Sequence, residues 1–232
     1  MPYSKSKERE NAVARLDELQ RCYAYVKMRP KMLPPRIRDS VYYNCVFQVV
    51  AVLEDYLLSR LSDWAYLLFS ARSTYDAFPV RTRLYLAAGA LVSPFRTHVS
   101  TDDDKRLVTN LEMFLEMFKI PQGNVPIASE DDFVALVKKR KFPSSRNFEH
   151  LFESIGLVEI NKKLSKRIKR TNFRLALESL VNVRNAIAHE NPPSVTDVDV
   201  KRYISDMRKW LGAIDREIYS HIAKTSGPQF WP

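Results

Sequence analysis

The sequence predicts an all-α bundle, and three observations carry that reading. Apolar residues recur at helical spacing in several windows, strict two-residue alternation is hard to find, and capping residues and prolines divide the chain into segments. A first helix over 7–26 shows the stripe Val13, Leu16, Leu19, Cys22 or Tyr23, and Val26. Pro30, Pro34 and Pro35 stop it by removing backbone donors and restricting the residues before them. A second helix starts after Asp39 or Ser40, either of which suits a cap. It runs through Val41, Cys45, Val49, Leu53, Tyr56 and Leu57 to about 70, long enough to form the spine of a bundle.

The stretch 71–101 mixes Pro79, Gly89 and Pro94 with an apolar run over 84–92, which predicts a short buried helix. Residues 107–120 are helical by spacing, 121–126 form a loop, and Ser129 with Asp132 gives an S-x-x-D start for a helix reaching 141. Residues 147–155 form one short helix ending at Gly156, a residue suited to the left-handed conformation that closes helices. The stripe Phe173, Leu177, Leu180, Arg184 and Ile187 marks another, capped by Thr171 or Asn172, with Arg184 on its core-facing side. The cleanest pattern is the last, over 197–223: Val200, Ile204, Met207, Leu211, Ile214, Ile218 and Ile222, opened by Thr196 and Asp199. The expected organisation is one domain over 1–232, with its core at about 40–222, room for an insertion at about 71–127, and a frayed tail at 225–232.

Composition removes several function classes. The two cysteines, Cys22 and Cys45, lack the spacing of a disulfide framework or a zinc site. No G-K-[ST] follows any of the five glycines, so phosphate-loop and dinucleotide folds are excluded. No apolar run follows Met1, and no uninterrupted apolar stretch approaches the ~18 residues of a membrane span, so a cytoplasmic protein without a membrane partner is expected. A metal reading would use His98, His150 and the Asp102–Asp104 run, whose spacing fits no familiar site.

The net charge of +10 attracts polyanions, and it is concentrated. Twelve basic residues stand against three acidic ones between 138 and 174, whereas 101–132 is acidic. Within the basic segment Lys162, Lys163, Lys166, Arg167, Lys169 and Arg170 are the candidates for contacts to RNA phosphates, which supply most non-specific affinity. Phe142, Phe148 and Phe173 lie among these charges and offer base stacking, against the blander role of core packing.

The segment leads into Arg184-Asn185-Ala186-Ile187-Ala188-His189. Arginine and histidine five apart sit about 140° apart on an ideal helix, so they share a site only if Arg184 reaches round, the helix deforms, or two chains converge. The chemistry suits RNA cleavage without metal. An imidazole titrates near neutrality and takes the proton of the ribose 2′-hydroxyl, while a guanidinium holds phosphate oxygens as charge builds. Asn185 is placed to orient His189 or to bind the phosphate, and DNA, lacking the 2′-hydroxyl, is expected to resist. A core-facing arginine also commonly neutralises a buried carboxylate, and Glu54 in its apolar segment is the available one, so a Glu54–Arg184 contact is expected.

The run 184–189 resembles the R-x4-H signature of the HEPN superfamily (higher eukaryotes and prokaryotes nucleotide-binding domains), many members of which are metal-independent ribonucleases. Residues 49–57, 147–157 and 197–222 are similar to further segments of its RiboL-PSP-type branch. The resemblance implies a HEPN-type helical bundle with a long early helix, an R-x4-H helix and a closing C-terminal helix. It also implies a homodimer in which Arg184, Asn185 and His189 of both chains meet in one cleft, with no cofactor. Two positions depart from the pattern: Glu190 stands where glycine is frequent, and Asn191 where toxins modified by nucleotidyltransferase partners carry tyrosine.

The reading drawn from this is an endoribonuclease acting as a toxin or defence effector, with RNA as substrate and an antitoxin or other regulatory protein as a further partner. Its catalytic residues would be Arg184, Asn185, His189 and Glu54. The alternative, from another class, is a catalytically silent RNA-binding or dimerisation module.

Overall fold

The computed structural model describes residues 2–28, 32–101, 103–113, 115–139, 144–169, 172–189 and 192–231. It is all-α, with no strand among the described residues and one isolated bridge between Thr74 and Pro126.

Helix α1 spans Lys7–Lys27. The Ser6 hydroxyl caps it by accepting from the Arg9 N–H at 3.2 Å, and Glu8 and Glu10 complement the dipole of the first turn. Its buried face is Ala12, Leu16, Tyr23 and Val26, while Cys22 is exposed. Helix α2, Pro35–Ser70, runs about 54 Å. It starts earlier than the expected cap at Asp39 or Ser40, because Pro35 takes the first helical position, where the missing N–H costs nothing. The Ser40 hydroxyl instead donates to the Arg36 carbonyl inside the helix.

This helix is the centre of the bundle, packed by α1, by α5 (Asp131–Lys138), by α8 (Phe173–Ala188) and by α9 (Asp197–Thr225). One 18-residue window of α2, with mean hydropathy 1.2, is long and apolar enough to cross a membrane by length and composition. Half of that window is buried inside the bundle, and a helix contacted from several sides is apolar on several faces.

The short buried helix expected over 84–92 is instead α3, Val80–Thr101, in which Ala87 is buried but Leu84 and Val92 are 51% and 43% exposed. Its apolar residues do not all face the core, so the apolar run understated its length. The helix expected over 107–120 divides into α4, Asp104–Met113, and a 3-10 segment, Leu115–Gln122. The tighter winding precedes and includes Pro121, whose ring disfavours the α conformation of the residue before it. Helix α5 begins at Asp131, with the Ser129 hydroxyl accepting from the Asp131 N–H at 3.0 Å in place of an S-x-x-D box.

Helix α6, Ser145–Ser154, is capped by Ser144, which accepts from the Asn147 N–H at 3.1 Å. Gly156 closes it at φ +81°, where an added Cβ would lie 2.8 Å from Pro79 Cβ. Helix α7, Ile160–Arg167, was not foreseen as a separate element. It turns Ile160 and Leu164 inward and its lysines outward. Phe148 and Phe173 are fully buried and ring-packed with each other, with Phe152 and with Trp210, so they serve the core and are closed to bases. Phe142 lies outside the described residues.

Helix α9 carries the expected capping box between Thr196 and Asp199 and buries all seven residues of its predicted stripe. The tail, expected to fray, is docked. It forms a 3-10 turn at Pro228–Phe230, and Trp231 is 6% exposed, donating from Nε1 to the Ser4 carbonyl at 3.0 Å. The Arg60 guanidinium carbon lies 4.2 Å from the centre of the same indole.

Candidate active site

Asn172 opens α8 by accepting from the Leu175 N–H at 3.0 Å. The buried residues Phe173, Leu177, Leu180 and Val181 then fix the rotation of the helix against α2, α6 and α7. Arg184 follows Leu180 by four and Leu177 by seven, so it continues that face where α8 leaves the core, and it is half-buried.

Across from it, Phe47 and Glu54 lie seven apart on one face of α2, both half-buried. The Arg184 guanidinium carbon lies 5.6 Å from the Phe47 ring centre, and its Nη1 donates to Asn185 Oδ1 at 3.1 Å. The expected Glu54–Arg184 contact takes the form of a charge interaction, with no ion pair within 4.0 Å. Burial raises the Glu54 carboxyl above its ordinary range, and the Arg184 charge partly opposes that rise. Among the described residues the guanidinium makes no ion pair, so its remaining donors are not committed to a carboxylate.

The helix ends at Ala188. His189 is its C-cap, extended at φ −103° and ψ 165°, with its N–H bonded to the Asn185 carbonyl at 3.2 Å. The backbone leaves the helix only after His189 Cα, at ψ 165°, so the two side chains share a site only through the reach of Arg184 or through a second chain. His189 is exposed, and Ala188 beside it is small and exposed. Arg184, Asn185 and His189 thus lie in the last turn and C-cap of α8, and Glu54 of α2 feels the Arg184 charge. Glu190 and Asn191 lie outside the described residues.

The basic run divides. Lys162, Lys163 and Lys166 are exposed on α7, with Lys162 3.6 Å from Glu159. Arg167 is drawn into a 2.6 Å ion pair with Glu217 of α9, Lys169 follows the helix at φ +54°, and Arg170 lies outside the described residues. For the metal reading, His150 faces Glu153 at 3.6 Å, while the His98 side chain and Asp102 are not described. Among the described residues no three or more His, Cys, Asp or Glu are grouped to hold a metal.

Phe47 was missed by sequence reasoning. Its only signal was the seven-residue spacing from Glu54, and an aromatic on a helical stripe more often signals core. Chemically, the arrangement offers a fixed cation with unpaired donors and a solvent-facing imidazole on one helix end.

A family model described as RiboL-PSP-HEPN matches residues 10–220 of this chain. Comparison with curated proteins and with solved structures gives no match.

Proposed function

The chain belongs to the RiboL-PSP-HEPN family, and from that premise we propose that it is a metal-independent endoribonuclease working as a homodimer. The observation that carries the reading is the pairing, at one helix end, of an arginine held without an ion pair and an exposed histidine. In the reaction, His189 takes the proton of a ribose 2′-hydroxyl, whose oxygen attacks the adjacent phosphorus. Arg184 holds the phosphate oxygens as their charge grows, and Asn185 fixes Arg184 through its Oδ1. The P–O5′ bond breaks, and the departing oxygen takes a proton from His189 of the partner subunit. The products are a 2′,3′-cyclic phosphate and a 5′-hydroxyl end.

Val183 and Ile187 on α8 and Tyr43 and Leu58 on α2 pack on the core but stay only partly buried, which leaves apolar surface for a second chain. The exposed lysines of α7 supply non-specific attraction for the RNA. We place the enzyme in the cytoplasm, as a toxin or defence effector held in check by a regulatory protein.

The test is incubation of wild type and His189→Ala, both dimeric by light scattering, with total RNA in a chelator. Cleavage by wild type alone, leaving cyclic phosphate ends, supports the reading. Salt-sensitive binding with no cleavage by either protein overturns it in favour of a silent RNA-binding module.

A further inference from the structure

A second cationic feature lies away from Arg184 and His189, in the groove where α1, the end of α7 and the middle of α9 meet. A cavity of about 350 Å³ opens there, at the lower end of the usual size for small-ligand sites. Among the described residues six cations line it, Arg9, Arg167, Lys169, Arg208, Lys209 and Arg216, and no carboxylate does. Like charges gathered round one hollow repel unless something holds them, and here three are held from behind. Arg9 lies 3.9 Å from Asp215, Arg167 2.6 Å from Glu217, and Arg208 is paired with Asp17.

These pairs fix the arginines without filling the cavity. Lys169 and Lys209 make no ion pair among the described residues, and Arg216 contacts only the face of Tyr3, at 5.2 Å. The Nε atoms of Arg9 and Arg208 are buried with no hydrogen-bond partner. Gly212 lies beneath, and a Cβ there would come within 2.9 Å of Arg9 Nη2, so the absence of a side chain is what lets the guanidinium lie against α9.

We infer that this cavity binds a compact polyphosphate, a chain of two or three phosphates carrying about the charge of the three uncompensated cations. A nucleic-acid backbone spreads single charges along a line, whereas these cations converge from three elements on one space. The inference does not rest on the proposed cleavage. Its ligand is a polyphosphate group, borne by a free nucleotide or by the 5′ end of an RNA.

The experiment is calorimetric titration of the full chain with inorganic tripolyphosphate at physiological salt. Saturable binding of one per chain is expected, much tighter than for orthophosphate. Lys169→Ala with Lys209→Ala is expected to weaken it about tenfold or more, since each removes a charge-assisted contact. Lys138→Ala with Lys139→Ala, an equal loss of charge at two exposed side chains where α5 ends, is expected to leave it unchanged. Equal weakening by both pairs, or binding that never saturates, would overturn the site. Tighter binding of a nucleoside triphosphate than of tripolyphosphate would assign the free nucleotide. A 5′-triphosphorylated RNA oligomer bound above its 5′-hydroxyl twin would assign the RNA end, and equal binding of the twins with equal loss in the cavity variant would overturn the inference in favour of a backbone groove.

Discussion

Arg184 stands over the ring of Phe47, its guanidinium carbon 5.6 Å from the ring centre, and is held sideways by Asn185 at 3.1 Å. An arginine restrained by an aromatic face and a neutral amide keeps its full charge and most of its donors. One restrained by a direct carboxylate would have surrendered both. The half-buried Glu54 contributes at longer range, through its field.

Replacing Phe47 by Leu keeps an apolar contact but removes the ring face. Loss of a partly exposed cation–π contact of about 0.5–1 kcal/mol predicts a fall in cleavage of about two- to fivefold. The fall should appear in kcat, because Arg184 is needed most as charge develops. A change confined to KM would count against a positioning role for the ring.

Glu54 ties the stability of the fold to pH. Its folded carboxyl titrates above the ordinary value because burial outweighs the Arg184 charge. A raised carboxyl contributes stability below its unfolded pKa and loses it as pH rises through the folded one. In Arg184→Met the opposing charge is gone, so the loss on raising pH should be larger. Urea unfolding at pH 4 and pH 7.5 measures it, and a deficit of equal size at both would show that Glu54 is not involved.

Asp215 should be the most sensitive carboxylate for stability. It is fully buried and accepts from Tyr3 at 2.7 Å, from Ser6 Oγ at 2.5 Å and from Tyr56 at 2.9 Å. These bonds bind the N-terminal segment and α2 to α9. Asp215→Ala leaves those donors without an acceptor and is expected to cost about 3 kcal/mol or more in denaturant unfolding. A loss below about 1 kcal/mol would mean the hydroxyls find other acceptors.

Asp63 is a second carboxyl that ties stability to pH. Burial, with a hydrogen bond to Glu8 and the charge of that residue, pushes its carboxyl up to about 6 from the ordinary 3.8. The fold therefore favours its protonated form, and its contribution, full below about pH 3.8, is lost as pH rises through about 6. Asp63→Asn should flatten stability across that interval, read from melting temperatures at pH 4, 5, 6 and 7. A profile parallel to wild type would move the effect to another group.

What the sequence determined by itself was whatever local chemistry specifies. The Thr196–Asp199 box, the choice of Thr171 or Asn172 as the α8 cap and the stop at Gly156 are settled within a turn or two of backbone, and the stripes of α8 and α9 tell which face turns inward. The R-x4-H run was legible for the same reason, being six consecutive residues. Tertiary structure alone decided the rest. Pro35 began a helix where Asp39 looked the better cap, and Trp231 docked a tail whose composition suggested fraying, through contacts with Ser4 and Arg60 more than 150 residues away. The same holds for the site. No local pattern shows that Phe47 will meet Arg184, or that Arg9 and Lys209 will share a cavity, because helix packing brings together residues whose separation along the chain carries no signal of their distance in space.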